Sequence, residues 1–135
     1  MGRLLAIDYG ARRVGLALSD PLKMIASPYR TIINKSDSNL IVEIERIIAA
    51  EDVEQTIIGL PLGMAGQITK QTKKVEEFAD KLAARGIAIK YEDERWSSVA
   101  AKRSMKEQNI KTGHNKELVD QMAAAIFLQQ YLERH

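Results

Sequence analysis

With 135 residues, 45% of them apolar and 28% charged, the chain reads as a single globular domain over 1–135 that buries about two-thirds of its unfolded surface. Zero cysteines exclude a disulfide framework, a thiolate zinc site and a cysteine nucleophile; two histidines, His114 and His135, leave any metal to oxygen donors, which favours Mg²⁺ or Mn²⁺. The net charge of +2 is unevenly placed: Arg95 to Lys116 holds six Lys/Arg and one acid, against 14 bases and 17 acids elsewhere, which suggests an anionic partner on one face.

The first strand, Leu4 to Ile7, is apolar and ends at Asp8. A carboxylate in that position needs a partner or a cation, because burying it alone costs several kcal/mol. Arg12 and Arg13 are the nearby partners; a metal shared with other acids is the alternative. After a turn at Gly10 to Arg13, Val14 to Leu18 returns as a second strand, and Ile25 to Ile33 supplies a third. Pro28 in it fits an edge strand or a bulge. The three strands predict an antiparallel meander.

Helical spacing then takes over. Ser36 to Ser38 offers an N-cap, and Leu40, Ile41, Ile44, Ile47 and Ile48 form one face of a helix through Ala50. Thr56 to Leu60 is a short strand ending at Pro61, followed by a loop with Gly63 and Gly66. A second amphipathic helix is expected from Lys70 to Arg85, stopped by Gly86. Ile87 to Tyr91 is a further strand, leading into Glu92, Asp93 and Glu94. Ser97 or Ser98 can cap a helix from Val99 to Gln108, and the last helix is expected from Lys116 to Leu132. In it, Val119, Met122, Ala123 and Ile126 are the expected inward stripe, with Asp120 on its flank.

The order β-β-β-α-β-α-β-α-α implies an α/β fold: a mixed five-stranded sheet, meander plus parallel strands, with helices on both faces. Ligands bind such sheets at the C-terminal edge of the strands. Asp8 and the Asp93–Glu94 pair stand there, and Asp120 can point there. Each acid alone has an ordinary explanation: a salt bridge, a solvated charge run, or the helix dipole for Asp120. Together they fit a carboxylate site, since gathered carboxylates repel one another and imply bound cations. Such a site can activate water for phosphodiester cleavage.

The motifs resemble the YqgF/RuvX family of the RNase H-like superfamily. They are Ile7-Asp8-Tyr9-Gly10 with Arg13 to Ala17 and Ser19-Asp20, then Gly59-Leu60-Pro61, Asp93-Glu94-Arg95 with Ser97-Ser98, and Val119-Asp120 with Ala123 to Ala125. The resemblance implies an RNase H-like fold and a divalent-metal-dependent nuclease. Its implied role is processing the 5′ end of pre-16S ribosomal RNA, with Holliday-junction resolution as the older proposal. By position, Asp8, Glu94 and Asp120 would be the catalytic, metal-binding acids, with Asp93 auxiliary. Where the family often has Asn and Asp after Gly-Leu-Pro, this chain has Gly63 and Ala65 around Met64.

Arg12, Arg13, Arg95, Lys102, Arg103, Lys106, Lys111 and Lys116 are the expected nucleic-acid contacts. Arg95 can equally pair with its acidic neighbours. His114 can assist leaving-group protonation or simply lie in an exposed loop, and Trp96 can stack on a base or anchor the following helix. The expected partners are pre-16S rRNA or branched DNA and ribosomal precursor particles, met as a monomer or a homodimer. With no apolar run near about 18 residues and no signal peptide, the expected location is cytoplasmic. Two rivals remain at this point: a non-catalytic RNA-binding factor, and an actin-like ATPase half. The ATPase half is weakened by its need for a second domain.

Overall fold

The computed structural model describes residues 2–95, 97–108 and 115–134. The elements run β1 (Arg3–Asp8), β2 (Arg13–Ser19), β3 (Ala26–Ile33), α1 (Asp37–Ala50), β4 (Val53–Leu60), α2 (Lys70–Ala84), β5 (Ile89–Asp93), α3 (Ser97–Glu107) and α4 (Lys116–Arg134). The five strands form one sheet in the order β3-β2-β1-β4-β5, antiparallel across β3-β2-β1 and parallel across β1-β4-β5. This is the expected RNase H-like arrangement. Pro28 satisfies both expectations made of it: β3 is an edge strand, and its ladder with β2 slips a residue beside the Ala17–Pro28 pair.

Local chemistry sets the helix ends. Ser36 caps α1 by accepting from the Asn39 amide at 3.1 Å. Thr69 and Thr72 form a reciprocal capping box at the start of α2, and Gly86, at φ +80°, turns the chain out of it. The cap expected from Ser97 or Ser98 concerns side chains outside the described ones. Trp96, Lys111 and His114 also lie outside the described residues.

Strand alternation puts two different cores on the two faces of the sheet. On one, Leu5, Ile7, Leu16 and Ile58 meet Ile44 of α1 with Phe78 and Leu82 of α2. On the other, Leu4, Ala6, Ala17 and Ile57 meet Ala124, Phe127 and Leu128 of α4. Small side chains at Ala6, Ala17 and Ala124 let α4 lie close against the strands. α3 packs on the outer side of α4, through Ala101 and Met105 against Val119 and Ala123.

That layering corrects the expected stripe of the last helix. Val119 and Ala123, with Met122 and Ile126 beside them, pack with α3, not the sheet. The sheet-facing row is Ala124, Phe127 and Leu128, with Tyr131 packed beside it, and Asp120 lies one turn before Ala124 on the same face. Asp120 is aimed at the sheet.

β5 begins two residues later than expected and runs to Asp93, because its parallel ladder with β4 continues through Gly59–Glu92 and Leu60–Asp93. Glu92 is therefore no solvated residue. Its side chain is 2% exposed and is paired with Arg134 at the end of α4. Arg134→Leu leaves that carboxylate buried and unpaired, a cost of about 2 kcal/mol given the arginine's own exposure. Urea unfolding at neutral pH should show the loss, and Glu92→Gln in the same background should recover most of it.

Candidate active site

The acids meet on the α4 face of the sheet, at the C-terminal edge of β1 and β4. Asp8, with Leu4 and Ala6, faces α4 by simple alternation along β1. Its neighbours in the sheet are glycines. Gly15 of β2 is its ladder partner, and Gly59 of β4 follows the Ile7–Ile58 pair by one residue. Each glycine keeps clear the space that another acid uses. A Cβ on Gly15 would stand 2.4 Å from the Asp120 carbonyl carbon and oxygen and 2.7 Å from its Cβ. A Cβ on Gly59 would stand 2.6 Å from Glu94 Oε2 and 2.7 Å from the Phe127 ring. Asp120 thus lies over one side of Asp8 and Glu94 over the other.

The electrostatics follow from this crowding. The Asp8 carboxyl is held well above the usual aspartate range, first by burial, then by the charge of Glu94 and its hydrogen bond to Glu94, and also by Asp120. Glu94 is raised too, first by burial and further by the charge of Asp93, while the bond from Asp8 acts in the opposite direction. Asp120 has a different partner: Arg13 Nε donates to its Oδ2 at 2.8 Å. Arg13 is therefore not the neutralising partner of Asp8 that its place in the sequence suggests.

Asp93 stands apart from the cluster. Burial alone would raise its pKa, but hydrogen bonds from the Arg95 guanidinium and amide, at 2.8 and 3.0 Å, hold it below the usual range. Arg95 also donates to the Met64 carbonyl at 3.1 Å, tying the loop after β4 to the end of β5. Its salt-bridge role is the one seen. Arg12, Lys102, Arg103, Lys106 and Lys116 are exposed, and none forms an ion pair among the described residues. Three of them line α3, which starts three residues after Glu94.

Tyr9 fixes the end of β1 from the other face. Its ring stacks on Phe78 with centroids 4.5 Å apart, and its hydroxyl donates to Asp37 Oδ1 at 2.7 Å. Asp37 also receives Lys81 at 2.9 Å. The turn that follows is held by Asn34, which donates to Gly10 O and Arg12 O, each at 2.9 Å. The sequence places Gly15 and Gly59 in motifs without showing their role, and gives no sign of Asn34. A glycine in the middle of an apolar strand marks a close approach, and that signal was available for the first two.

Among the described residues, no three acids or histidines are already disposed as a metal-ligand group. Asp8 stands beside Glu94, and Asp120 is turned onto Arg13, whose charge offsets part of the repulsion among the acids. The donor chemistry nevertheless fits a hard divalent cation. Three carboxylates, from β1, from the residue after β5 and from α4, reach one half-buried, glycine-cleared space, with only oxygen to offer.

The chain matches, over residues 2–134, the family model described as "RuvX: Holliday junction resolvase". It is 41% identical over 133 residues to the Roseiflexus sp. (strain RS-1) protein named "Putative pre-16S rRNA nuclease", covering 98% of this chain and 94% of that one. A Bacteroides thetaiotaomicron protein of the same name is 41% identical over 137 residues, covering 98% and 97%. Among solved structures, Thermus thermophilus RuvC aligns with a TM-score of 0.60 at 11% identity, covering 98% of this chain and 95% of that one. A fowlpox virus resolvase complexed with Holliday junction DNA aligns at 0.59 and 10%, covering 98% and 97%. At such identities the structural likeness speaks for the fold.

Proposed function

We propose, since the chain belongs to the RuvX family, that it is a divalent-metal-dependent nuclease that hydrolyses RNA phosphodiesters and processes the 5′ end of pre-16S rRNA. The observation that carries this reading is the convergence of Asp8, Glu94 and Asp120 above Gly15 and Gly59. These three carboxylates would hold Mg²⁺ or Mn²⁺. When bound, the cation supplies Lewis-acid activation of water and neutralises charge on the scissile phosphate. Asp8, Glu94 and Asp120 would each offer carboxylate oxygen to that cation. Burial keeps competing water scarce around Asp8, which strengthens its pull on a cation.

The polymer is held elsewhere. Lys102, Arg103 and Lys106 on the exposed side of α3, with Arg12 and Lys116, would bind backbone phosphates without reading sequence. Replacing Lys102, Arg103 and Lys106 together by alanine should weaken RNA binding uniformly across sequences. It should also flatten the slope of log affinity against log salt by about 2 for a single strand, roughly 0.7 for each phosphate no longer neutralised. Anisotropy titrations at several salt concentrations check this. An unchanged slope would place the RNA elsewhere.

Holliday-junction cleavage is the second reading, favoured by the description of the matching family model. Two symmetric cuts require two sites in register, hence a dimer, whereas trimming one RNA end needs a single copy. The deciding experiment incubates the protein with a pre-16S 5′-leader RNA and a four-way DNA junction in parallel, with Mn²⁺, and sequences the cut ends. Cleavage of the RNA alone supports the proposal, and cleavage of the junction alone replaces it. Binding without turnover in any divalent metal leaves a non-catalytic RNA-binding factor.

A further inference from the structure

Arg13 is the basic partner of the carboxylate cluster among the described residues, and it meets Asp120 through Nε alone. Its side chain is 33% exposed and that of Asp120 is 23% exposed. A pair that is only partly buried can be exchanged for other partners without the full cost of stranding a buried charge. The two terminal nitrogens of the guanidinium have no protein acceptor among the described residues, so they can receive an anion. The backbone beneath it is fixed: Asn34 clamps the preceding turn, and a Cβ on Gly10 would lie 2.5 Å from the Arg13 carbonyl oxygen. A rigid base, a long side chain and a partly wet partner make a side chain that can change partners without disturbing the fold.

Resting on the metal-site reading above, we infer that Arg13 is an exchangeable counter-ion. It neutralises Asp120 while no cation is bound, and it is released to a phosphate of the nucleic acid when Asp120 turns to a divalent cation. Cation and substrate are then coupled through one side chain. The released guanidinium arrives beside the carboxylates only when the cation is there, so phosphate binding near the site is strengthened in the loaded state. By linkage, nucleic acid must raise cation affinity by the same factor. A fixed salt bridge that merely pins α4 to β2 makes neither prediction.

The test uses the full chain with Arg13→Gln, Asp120→Asn and the double variant, each checked for an unchanged circular dichroism spectrum. Calorimetry with Mn²⁺ should show Arg13→Gln binding roughly tenfold more tightly than wild type, since both a competitor and a repelling charge are gone. Anisotropy with the leader RNA should show Ca²⁺ strengthening wild-type binding severalfold more than Arg13→Gln binding. Without divalent ions, Asp120→Asn should bind RNA more tightly than wild type, and the part of the gain that is due to Arg13 should vanish in the double variant.

Unchanged or weaker Mn²⁺ binding by Arg13→Gln overturns the exchange, as does an equal Ca²⁺ effect on RNA binding in both proteins. If Arg13→Gln alone misfolds, the double variant Asp120→Asn with Arg13→Gln, which leaves no unpaired charge, decides in its place by its metal-free RNA affinity against that of Asp120→Asn. Weaker binding by the double variant supports the exchange, and equal affinities overturn it. Asp8→Asn separates the two levels: if it binds Mn²⁺ as wild type does, the metal-site reading itself has failed. If it does not bind and Arg13→Gln still binds like wild type, only the exchange has.

Discussion

Asp8→Asn should lose at least about a thousandfold in Mn²⁺-dependent cleavage while raising the melting temperature at neutral pH. Both effects come from one place in the structure. Asp8 is half-buried at the end of β1 and crowded by Glu94 and Asp120; desolvation first, then those charges, raise its carboxyl well above the usual range. A group whose pKa is raised on folding binds its proton better in the native state. Its stabilising contribution is complete below the unfolded value of 3.8 and is lost as pH climbs through the folded one. Asparagine keeps the shape and removes the charge, so it escapes that loss.

The difference in melting temperature between the variant and wild type should thus be small near pH 4 and widen toward neutrality, to the equivalent of about 1 kcal/mol. Mg²⁺ should close the gap by stabilising wild type alone. Calorimetric melts from pH 4 to 8, with and without Mg²⁺, measure all of this. A variant less stable than wild type at pH 7 would show Asp8 to be a structural anchor.

The second large effect concerns a residue with no side chain. Gly15→Ala should destabilise the fold by about 2–4 kcal/mol, roughly 10 °C in melting temperature at this chain length. The new methyl would meet the backbone of Asp120 at 2.4 Å, and backbone cannot rotate away. α4 must lift, taking Asp120 with it, so cleavage should fall by more than the residual folded fraction explains. Gly59→Ala should cost less. Its methyl meets the Glu94 carboxylate and the Phe127 ring, which are side chains with some freedom to shift. Thermal melts of the two variants, with cleavage measured well below each midpoint, test the ordering.

These two glycines also show how far the amino-acid sequence alone can be read. Period-2 and helical spacing show the elements of the described residues in order and the mixed sheet, because each stretch carries its own pattern. Asp8 stood out because a carboxylate closing an apolar strand has a cost that something must offset. What stayed hidden is non-local. Nothing near Arg13 shows that it bonds to a residue 107 positions away. In the sequence Glu92 reads as part of a solvated run, yet Arg134, from the far end of α4, is its ion-pair partner. The last helix is apolar toward both the sheet and α3, so periodicity alone chose the wrong one of two plausible stripes.

The meeting of β1 with α4 has a consequence in time as well as in space. During synthesis Asp8 emerges among the first residues, and Asp120 only after most of the chain has followed. Contacts of such long sequence separation form late, since the loop between them must close first. A chain interrupted before the last helix would carry the strand that opens the site and none of the residues that lie over Gly15. With Asp120 among the proposed metal ligands, truncated or half-folded copies would lack one of the donors, and the ability to cleave would appear only when folding is finished.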